Sequence, residues 1–336
     1  MSRMDTIRWG VMAPGRIARS FAADLALVPD AELVATGSRS LDRATTFADE
    51  FGGAAHGSYE ELVADEAVDV VYVASPHPLH AEHTRMALAA GKHVLCEKPM
   101  TLDGASTAAL FDEAAERGLF LMEAMWMATH PTIRTLRALL TDGEHGTARQ
   151  VHASIGFVAG PDPTSRLVDP ALGGGALLDM GVYPLTFAQL LLGEPDQLTA
   201  VANLSDRAID LDISIAGRYP GGATAALTAT LTSHASVTAT VSTEIGTFEL
   251  PRPFYSPDRI RWTSYWTEGG AGEWIEPDEP VVGQGYGNEA MEVHRCLRSG
   301  ALTSELVPPS QTIALMRQMD DLRAQVGVSY ADRVGT

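Results

Sequence analysis

Cysteine is nearly absent from this sequence. The 336 residues hold two, Cys96 and Cys296, far apart in the chain, which excludes a disulfide framework and a cysteine zinc set. Positive charge is scarce as well: 24 Lys and Arg face 43 Asp and Glu, a net charge of −19. So acidic a surface repels phosphate backbones, which argues against nucleic-acid binding and obliges any anionic cofactor to find a local basic cluster. No apolar run approaches the roughly 20 residues of a membrane span. Met1-Ser2-Arg3-Met4-Asp5 leads straight into a strand pattern with no apolar signal core. These absences point to the cytoplasm and away from a membrane partner. No His/Asp/Glu cluster has ligand spacing, so no metal is expected.

What is present is a chain long enough for two cores. Short apolar runs alternate with helical patterns over the first 125 or so residues: strands at 7–13, 32–37, 68–75, 93–96 and 119–123, and helices at 15–26, 41–51, 79–90 and 103–117. That rhythm predicts a Rossmann-like, doubly wound parallel sheet. After residue 148 or so it changes. Val151, Ala153, Ile155 and Phe157 alternate as in a strand with one buried face. Tyr219-Pro220-Gly221-Gly222 and Glu244-Ile245-Gly246 read as hairpin turns. Helical patterns cover 132–140, 181–192, 289–298 and 310–326. The expectation is α/β: a dinucleotide-binding domain over 1–125, then an α+β domain over 126–336 built on a large, mostly antiparallel sheet. The second domain would bind substrate and oligomerise, with its C-terminal helix free to pack back on the first. A ligand cleft is expected at the junction, outside the carboxyl ends of the parallel strands.

Ala13-Pro14-Gly15-Arg16-Ile17-Ala18 follows the first strand and opens the first helix. It reads A-x-G-x-x-A where a dinucleotide turn has G-x-G-x-x-G or G-x-G-x-x-A, so the first glycine is missing. Pro14 pushes the residue before it towards extended geometry, which alanine adopts without strain. Gly15 keeps the position where backbone closely approaches a pyrophosphate; the same residues also make an ordinary strand–helix turn. The second strand ends at Gly37-Ser38-Arg39-Ser40, with no carboxylate for a ribose. Arg39, with Arg43 and Arg16 nearby, makes a positive island suited to a 2′-phosphate, and so predicts NADP(H) over NAD(H). Surface arginines with no ligand are the alternative.

Lys98, in Cys96-Glu97-Lys98-Pro99, sits where a strand leaves the carboxyl edge of the sheet. Gly173-Gly174-Gly175 precedes a helical run in which Asp179 and Tyr183 are four apart and share a face. Hydride transfer from an alcohol needs a base for the hydroxyl proton. A tyrosine beside a lysine ammonium meets that need. Taken singly, the three also fit a structural Lys, a capping Asp and a core Tyr.

Cys96-Glu97-Lys98-Pro99-Met100, together with the Gly173 to Tyr183 run, resembles the glucose–fructose oxidoreductase / inositol dehydrogenase (Gfo/Idh/MocA) family over nearly the whole chain. Three passages are most similar to its branch of dimeric dihydrodiol dehydrogenases and D-xylose dehydrogenases: 119–126, Leu178 to Pro184, and the end from Gly285-Tyr286-Gly287-Asn288-Glu289 to Gly327-Val328-Ser329-Tyr330. The resemblance implies that Lys98 and Tyr183 are the catalytic pair; Asp179, on the same helical face as Tyr183, is expected to orient a substrate hydroxyl. It implies that Ser75-Pro76-His77-Pro78-Leu79-His80 packs by the nicotinamide. His80 equally suits packing at a helix start. Trp126 begins a strip implied to line the substrate pocket, where Ala128 stands in place of the branch's arginine.

The activity implied is NAD(P)-dependent hydride transfer at a hydroxyl-bearing carbon of a sugar, cyclitol or trans-dihydrodiol, in a homodimer or higher homo-oligomer. The cofactor-binding set is Ala13, Pro14, Gly15, Arg16, Ile17, Ser38, Arg39, Arg43, Ser75, Pro76, His77, His80, Glu97 and Lys98. Lys98, Trp126, Asp179 and Tyr183 would meet the substrate. Two other readings share the fold: an NAD-dependent glycosidase, and a non-catalytic cofactor-sensing regulator.

Overall fold

Val70–Val73, four buried residues reading Val-Val-Tyr-Val, has the β-branched and aromatic composition that suits a strand covered on both faces. In the computed structural model of the chain, which describes residues 6–266 and 272–330, it is the fourth strand of a parallel sheet. Met1–Asp5, read above for a signal core, and 331–336, expected in the second domain, lie outside the described residues.

The sheet is built from β1 (Ile7–Met12), β2 (Ala31–Gly37), β3 (Ala54–His56), β4 (Val70–Val73), β5 (His93–Glu97) and β6 (Leu121–Ala124). Their order is β3-β2-β1-β4-β5-β6, all parallel. The connecting helices are α1 (Arg16–Leu25), α2 (Leu41–Phe51), α3 (Tyr59–Ala64), α4 (His80–Ala89) and α5 (Gly104–Arg117), and the short α6 (Trp126–Thr129) follows β6. Strand order reverses between β1 and β4, so a crevice opens there at the carboxyl ends, the place where open α/β sheets bind ligands. Strand β3 and helix α3 had no counterpart in the sequence reading. β3 is too short for a periodic signal, and α3 is announced only by its cap, Ser58, which accepts from Glu61 N at 3.1 Å.

The second sheet contains β7 (Ala148–Gly156), β8 (Gln197–Leu204), β9 (Asp210–Arg218), β10 (Thr224–Thr230), β11 (Ala239–Thr243), β12 (Gly246–Leu250), β13 (Ile260–Ser264) and β14 (Glu273–Ile275), with α7 (Pro131–Thr141) and α8 (Val182–Leu192). The order is β14-β13-β12-β11-β7-β10-β9-β8, antiparallel except for the pairing of β7 with β10. Both expected hairpins form, β9–β10 and β11–β12. One face carries Val151, Ala153, Ile155, Ile213, Ile215, Leu227 and Val241, all buried, and α8 packs on it at β7 and β10. Burying each such aliphatic side chain stabilises by about 1.5–3 kcal/mol. Pro170–Leu192 is the one stretch among the described residues long and apolar enough to cross a membrane, a run that the sequence reading passed over. Its most apolar window is 83% buried in the fold, as expected of a core helix.

The chain then forms α9 (Tyr286–Ser299) and α10 (Pro309–Val326). Two compact units result, Met1–Thr129 with Val281–Ile313, and His130–Pro280 with Ala314–Thr336. A cut at residue 125 puts 281–313 with the second sheet, whereas the structure returns it to the first. Buried Asp24 of α1 is one reason. Its Oδ2 accepts from Gln284 N at 2.7 Å and Tyr286 N at 3.0 Å, capping α9 from another helix. Trp9 Nε1 on β1 donates to His294 Nε2 on α9 at 3.0 Å.

Candidate active site

The turn after β1 corrects one expectation. Ala13 is not extended; it has φ 69°, the left-handed region that favours glycine. Its N–H donates to Gly37 O at 3.0 Å, and its carbonyl accepts from Gly15 N at 2.8 Å. These bonds hold the turn in the shape that a first glycine would adopt. Gly15 precedes α1 and no side chain caps that helix, whose first turn holds no acidic residue. Free N–H groups and the positive end of the helix dipole therefore face the crevice, an arrangement that favours an anion. A Cβ on Gly15 would meet only Ala13 O, at 3.9 Å, so the space above the turn is open. Pro14 is buried, and Ile17 half-buried, beside it.

Around this turn Arg16, Arg39 and Arg43 are exposed, and among the described residues no ion pair engages them. Ser38 is buried, with its Oγ accepting from Ser40 N at 3.3 Å. At the ends of β2 and β4, the buried hydroxyls of Thr36 and Ser75 have no hydrogen-bond partner within the described chain. Orphaned hydroxyls, an uncapped helix and unpaired arginines together fit a dinucleotide phosphate.

Lys98 is half-buried just beyond β5, and its backbone is clamped on either side. Glu97 Oε2 accepts from Lys98 N at 3.1 Å, while Glu97 Oε1 accepts from the Tyr72 hydroxyl. Glu123 Oε1 accepts from Met100 N at 2.9 Å, and its Oε2 accepts from the Thr312 hydroxyl at 3.1 Å. Burial pushes the Glu123 carboxyl up to about 7, against the lowering pull of those donors and of Lys98.

Fully buried His80 faces Pro99 O with Nδ1 at 2.9 Å and Ser75 O with Nε2 at 2.8 Å. Burial pushes its pKa down to about 4, so the ring is neutral at physiological pH and donates to one carbonyl at a time. Neither nitrogen is left for a cofactor. His80 ties two loops together, which corrects its expected role as a contact. His77, ring to ring with His80 at 5.6 Å, stands with Pro76 on the same loop. Trp126 is buried against Tyr286 of α9, centroids 4.5 Å apart.

In the second unit a π turn over Leu177–Gly181 leads into α8. A turn closed by i→i+5 bonds holds slightly more residues than an α turn. Residues four apart, Asp179 and Tyr183, therefore fall nearly one above the other. Arg166 Nη1 donates to Asp179 Oδ1 at 2.9 Å, and Tyr183 stacks on Tyr255 with centroids 4.7 Å apart.

The chain is similar to known proteins over nearly its whole length. Residues 7–125 match the family described as "Oxidoreductase family, NAD-binding Rossmann fold", and residues 133–249 match the "GFO/IDH/MocA C-terminal domain". The chain belongs to the Gfo/Idh/MocA oxidoreductase family. It is 34% identical over 337 residues to mouse trans-1,2-dihydrobenzene-1,2-diol dehydrogenase, covering 96% of this chain and 98% of the relative. The human enzyme of that name is 35% identical over 334 residues, with 96% and 98% covered. Among solved structures, a 3-ketoreductase from Actinomadura kijaniata in complex with NADP has TM-score 0.81 at 30% identity, over 96% of this chain and 98% of its own. An aldose-aldose oxidoreductase from Caulobacter crescentus has TM-score 0.86 at 24% identity, with 96% and 98% covered, a likeness of fold alone.

In this family member, residues 13–17, Ser38 and Arg39, 75–77, and Glu97 and Lys98 lie at or just beyond the carboxyl ends of β1, β2, β4 and β5 in the first unit, and Asp179 and Tyr183 lie one turn apart in the second. Sequence reasoning missed Arg166, Tyr255 and Glu123. Arg166 and Tyr255 lie in loops without periodicity, and Glu123 is hidden in an apolar strand.

Proposed function

We propose that this chain moves a hydride between NADP(H) and a hydroxyl-bearing carbon of a sugar, cyclitol or trans-dihydrodiol. The observation that carries the reading is the lysine of the first unit, Lys98, held by backbone contacts on both sides at the carboxyl edge where the dinucleotide turn lies. The nicotinamide, when bound, gives or takes the hydride. Lys98 supplies an ammonium that polarises the substrate oxygen, Tyr183 gives or takes its proton, and Asp179 orients a neighbouring hydroxyl. The 3-ketoreductase supports this by similarity: it has been solved with NADP and single replacements of a lysine and of a tyrosine. Arg39, Arg43 and Arg16 would hold the 2′-phosphate and Gly15 the pyrophosphate, with His77 and Trp126 beside the reacting ends.

A spectrophotometric screen of sugars, cyclitols and trans-dihydrodiols with NADP and NAD tests the proposal. Turnover with at least one of them is expected. Nucleotide that stays bound, with no net change in its redox state during glycoside cleavage, would replace this reading with the glycosidase.

A homodimer would form through the outer face of the second sheet. That face carries small and polar side chains rather than a broad apolar patch: Val201, Ser214 and Thr228 align across one row and Thr199, Ala216, Ala226 and His152 across the next, all exposed. A monomeric mass by light scattering would refute it. A cytoplasmic setting suits Cys96 and Cys296, both free thiols.

A further inference from the structure

The helix that carries Asp179 and Tyr183 has no cap of its own. It starts from Gly173-Gly174-Gly175, and the residue at its N-cap, Ala176, offers no side-chain acceptor. We propose that Asp210 of β9 is a positioning residue, capping this helix from across the unit and so fixing where Asp179 and Tyr183 point. The inference rests on the catalytic reading of Tyr183 given above.

Asp210 is fully buried, and its Oδ2 accepts from Leu177 N at 2.6 Å, the short distance of a charge-assisted bond. A carboxylate at a helix N-terminus satisfies an orphan N–H and complements the dipole. The glycines explain how a strand residue reaches so far in. Gly175 has φ 136°, and a Cβ there would lie 2.4 Å from Asp210 Oδ1 and 3.1 Å from the Tyr330 hydroxyl. A Cβ on Gly174 would lie 2.8 Å from Asp169 N. Tyr330 donates to Gly174 O at 2.5 Å, so the glycine stretch is held from a second direction. The charged and titratable groups around the carboxyl are Arg323 of α10, whose guanidinium lies 5.0 Å from the Tyr330 ring centroid, and Tyr330 itself. Arg323 also pairs with Asp320.

Burial pushes the Asp210 carboxyl up to about 6, against the N–H donors and Arg323. Protonation below that pH turns the cap from a charged acceptor into a neutral one. The helix start then loosens beneath Asp179 and Tyr183. Catalysis therefore gains an acid limb whose origin is a group that touches neither substrate nor cofactor.

The test is Asp210→Asn in the full-length protein, which keeps the shape and one acceptor but removes the charge. Relief of the buried anion should leave Tm equal or higher at neutral pH, while kcat falls about three- to tenfold and the limb near pH 6 disappears. KM for the dinucleotide should not move. A merely structural Asp210 would shift Tm and kcat together. A variant with wild-type kcat and an intact acid limb overturns the proposal. One arm needs neither activity nor a variant: the amide resonance of Leu177 in selectively labelled wild-type protein should titrate with a midpoint near 6. A flat Leu177 amide across that range overturns the proposal even if the enzyme turns over its substrate, whereas failure to find any substrate leaves this arm intact.

Discussion

Arg166 donates from Nη1 to Asp179 Oδ1 at 2.9 Å, a half-exposed guanidinium holding a nearly buried carboxylate. Asp179 stands one turn before Tyr183, so this contact sets a charge beside the proposed proton-handling group. A hydrogen bond to a charged group contributes about 1.5–3 kcal/mol, and the exposure of Arg166 puts this one at the lower end. Arg166→Ala should reduce kcat/KM about tenfold and lower Tm by only about 2–5 °C. Arg166→Lys should recover part of the loss. Steady-state kinetics equal to wild type in the alanine variant would detach Arg166 from the site.

Ala13 sits in left-handed backbone at φ 69°. The conformation costs a residue with a Cβ about 1–2 kcal/mol, while glycine adds about 0.4–1 kcal/mol of unfolded-state entropy. The balance favours glycine. Ala13→Gly should raise the melting temperature by about 1–3 °C and leave dinucleotide affinity within about twofold. A lower Tm in differential scanning calorimetry would contradict the strain assigned to this turn.

Arg39 is exposed at the end of β2 with no carboxylate partner among the described residues, and it is close enough to His83 to help lower its pKa. Charge-assisted contacts to a 2′-phosphate predict that Arg39→Ala loses about tenfold or more in NADP affinity and little in NAD affinity. Titration calorimetry with both nucleotides checks this. An unchanged NADP/NAD ratio would remove Arg39 from the cofactor site.

Glu123 is an acid whose folded pKa is raised, from 4.5 to about 7. The native state therefore holds its proton where the unfolded chain has released it. Stability from this group is full below pH 4.5 and is lost as pH rises towards about 7, a change on the order of 3 kcal/mol. Glu123→Gln should keep the contacts to Met100 N and the Thr312 hydroxyl and remove that loss. The melting temperature of the variant should exceed wild type above about pH 7, with a smaller difference near pH 5. Equal melting curves at alkaline pH would show that Glu123 is ionised without cost.

Much of the first unit was legible because parallel strands carry continuous apolar runs and α2, α4 and α5 stop at or just before a glycine. Leu79 to Ala90, stopping at Gly91, needed only a small shift to become α4. The error at Ala13 came from weighing the proline after it and not the turn that Gly37 O and Gly15 N impose. Strands β8 and β13 were missed because Thr, Ala and Arg interrupt their larger apolar positions, and β14, three residues with none buried, is too short for a periodic signal. The return of 281–313 was invisible for another reason. It depends on Asp24 reaching backbone N–H groups some 260 positions away, and no local pattern encodes that contact. At the candidate site, the sequence reading named residues that carry a local motif, such as the turn at Ala13-Pro14-Gly15 and Lys98 before Pro99, and missed Arg166, Tyr255 and Glu123, whose contacts come from distant segments.

Tyr183 and Lys98 carry the strongest prediction. The oxygen of a reacting alcohol must lose its proton as the hydride leaves, and must regain one in the reverse direction. A tyrosine hydroxyl serves only if its anion is stabilised, and an ammonium does that while also polarising a carbonyl. Tyr183 is buried at the start of α8 and stacked on Tyr255, so Tyr183→Phe preserves the ring packing and removes the hydroxyl alone. It should lower kcat by about 10²–10⁴-fold with dinucleotide binding retained. Lys98→Met should lower it at least as far, since the methionine keeps the length of the side chain and none of its charge. If the two groups serve one proton, as proposed, the double variant should be little worse than the poorer single one. Near-wild-type turnover by Tyr183→Phe on the physiological substrate would transfer the proton to His77 or to a bound water, and the Lys–Tyr assignment would fail.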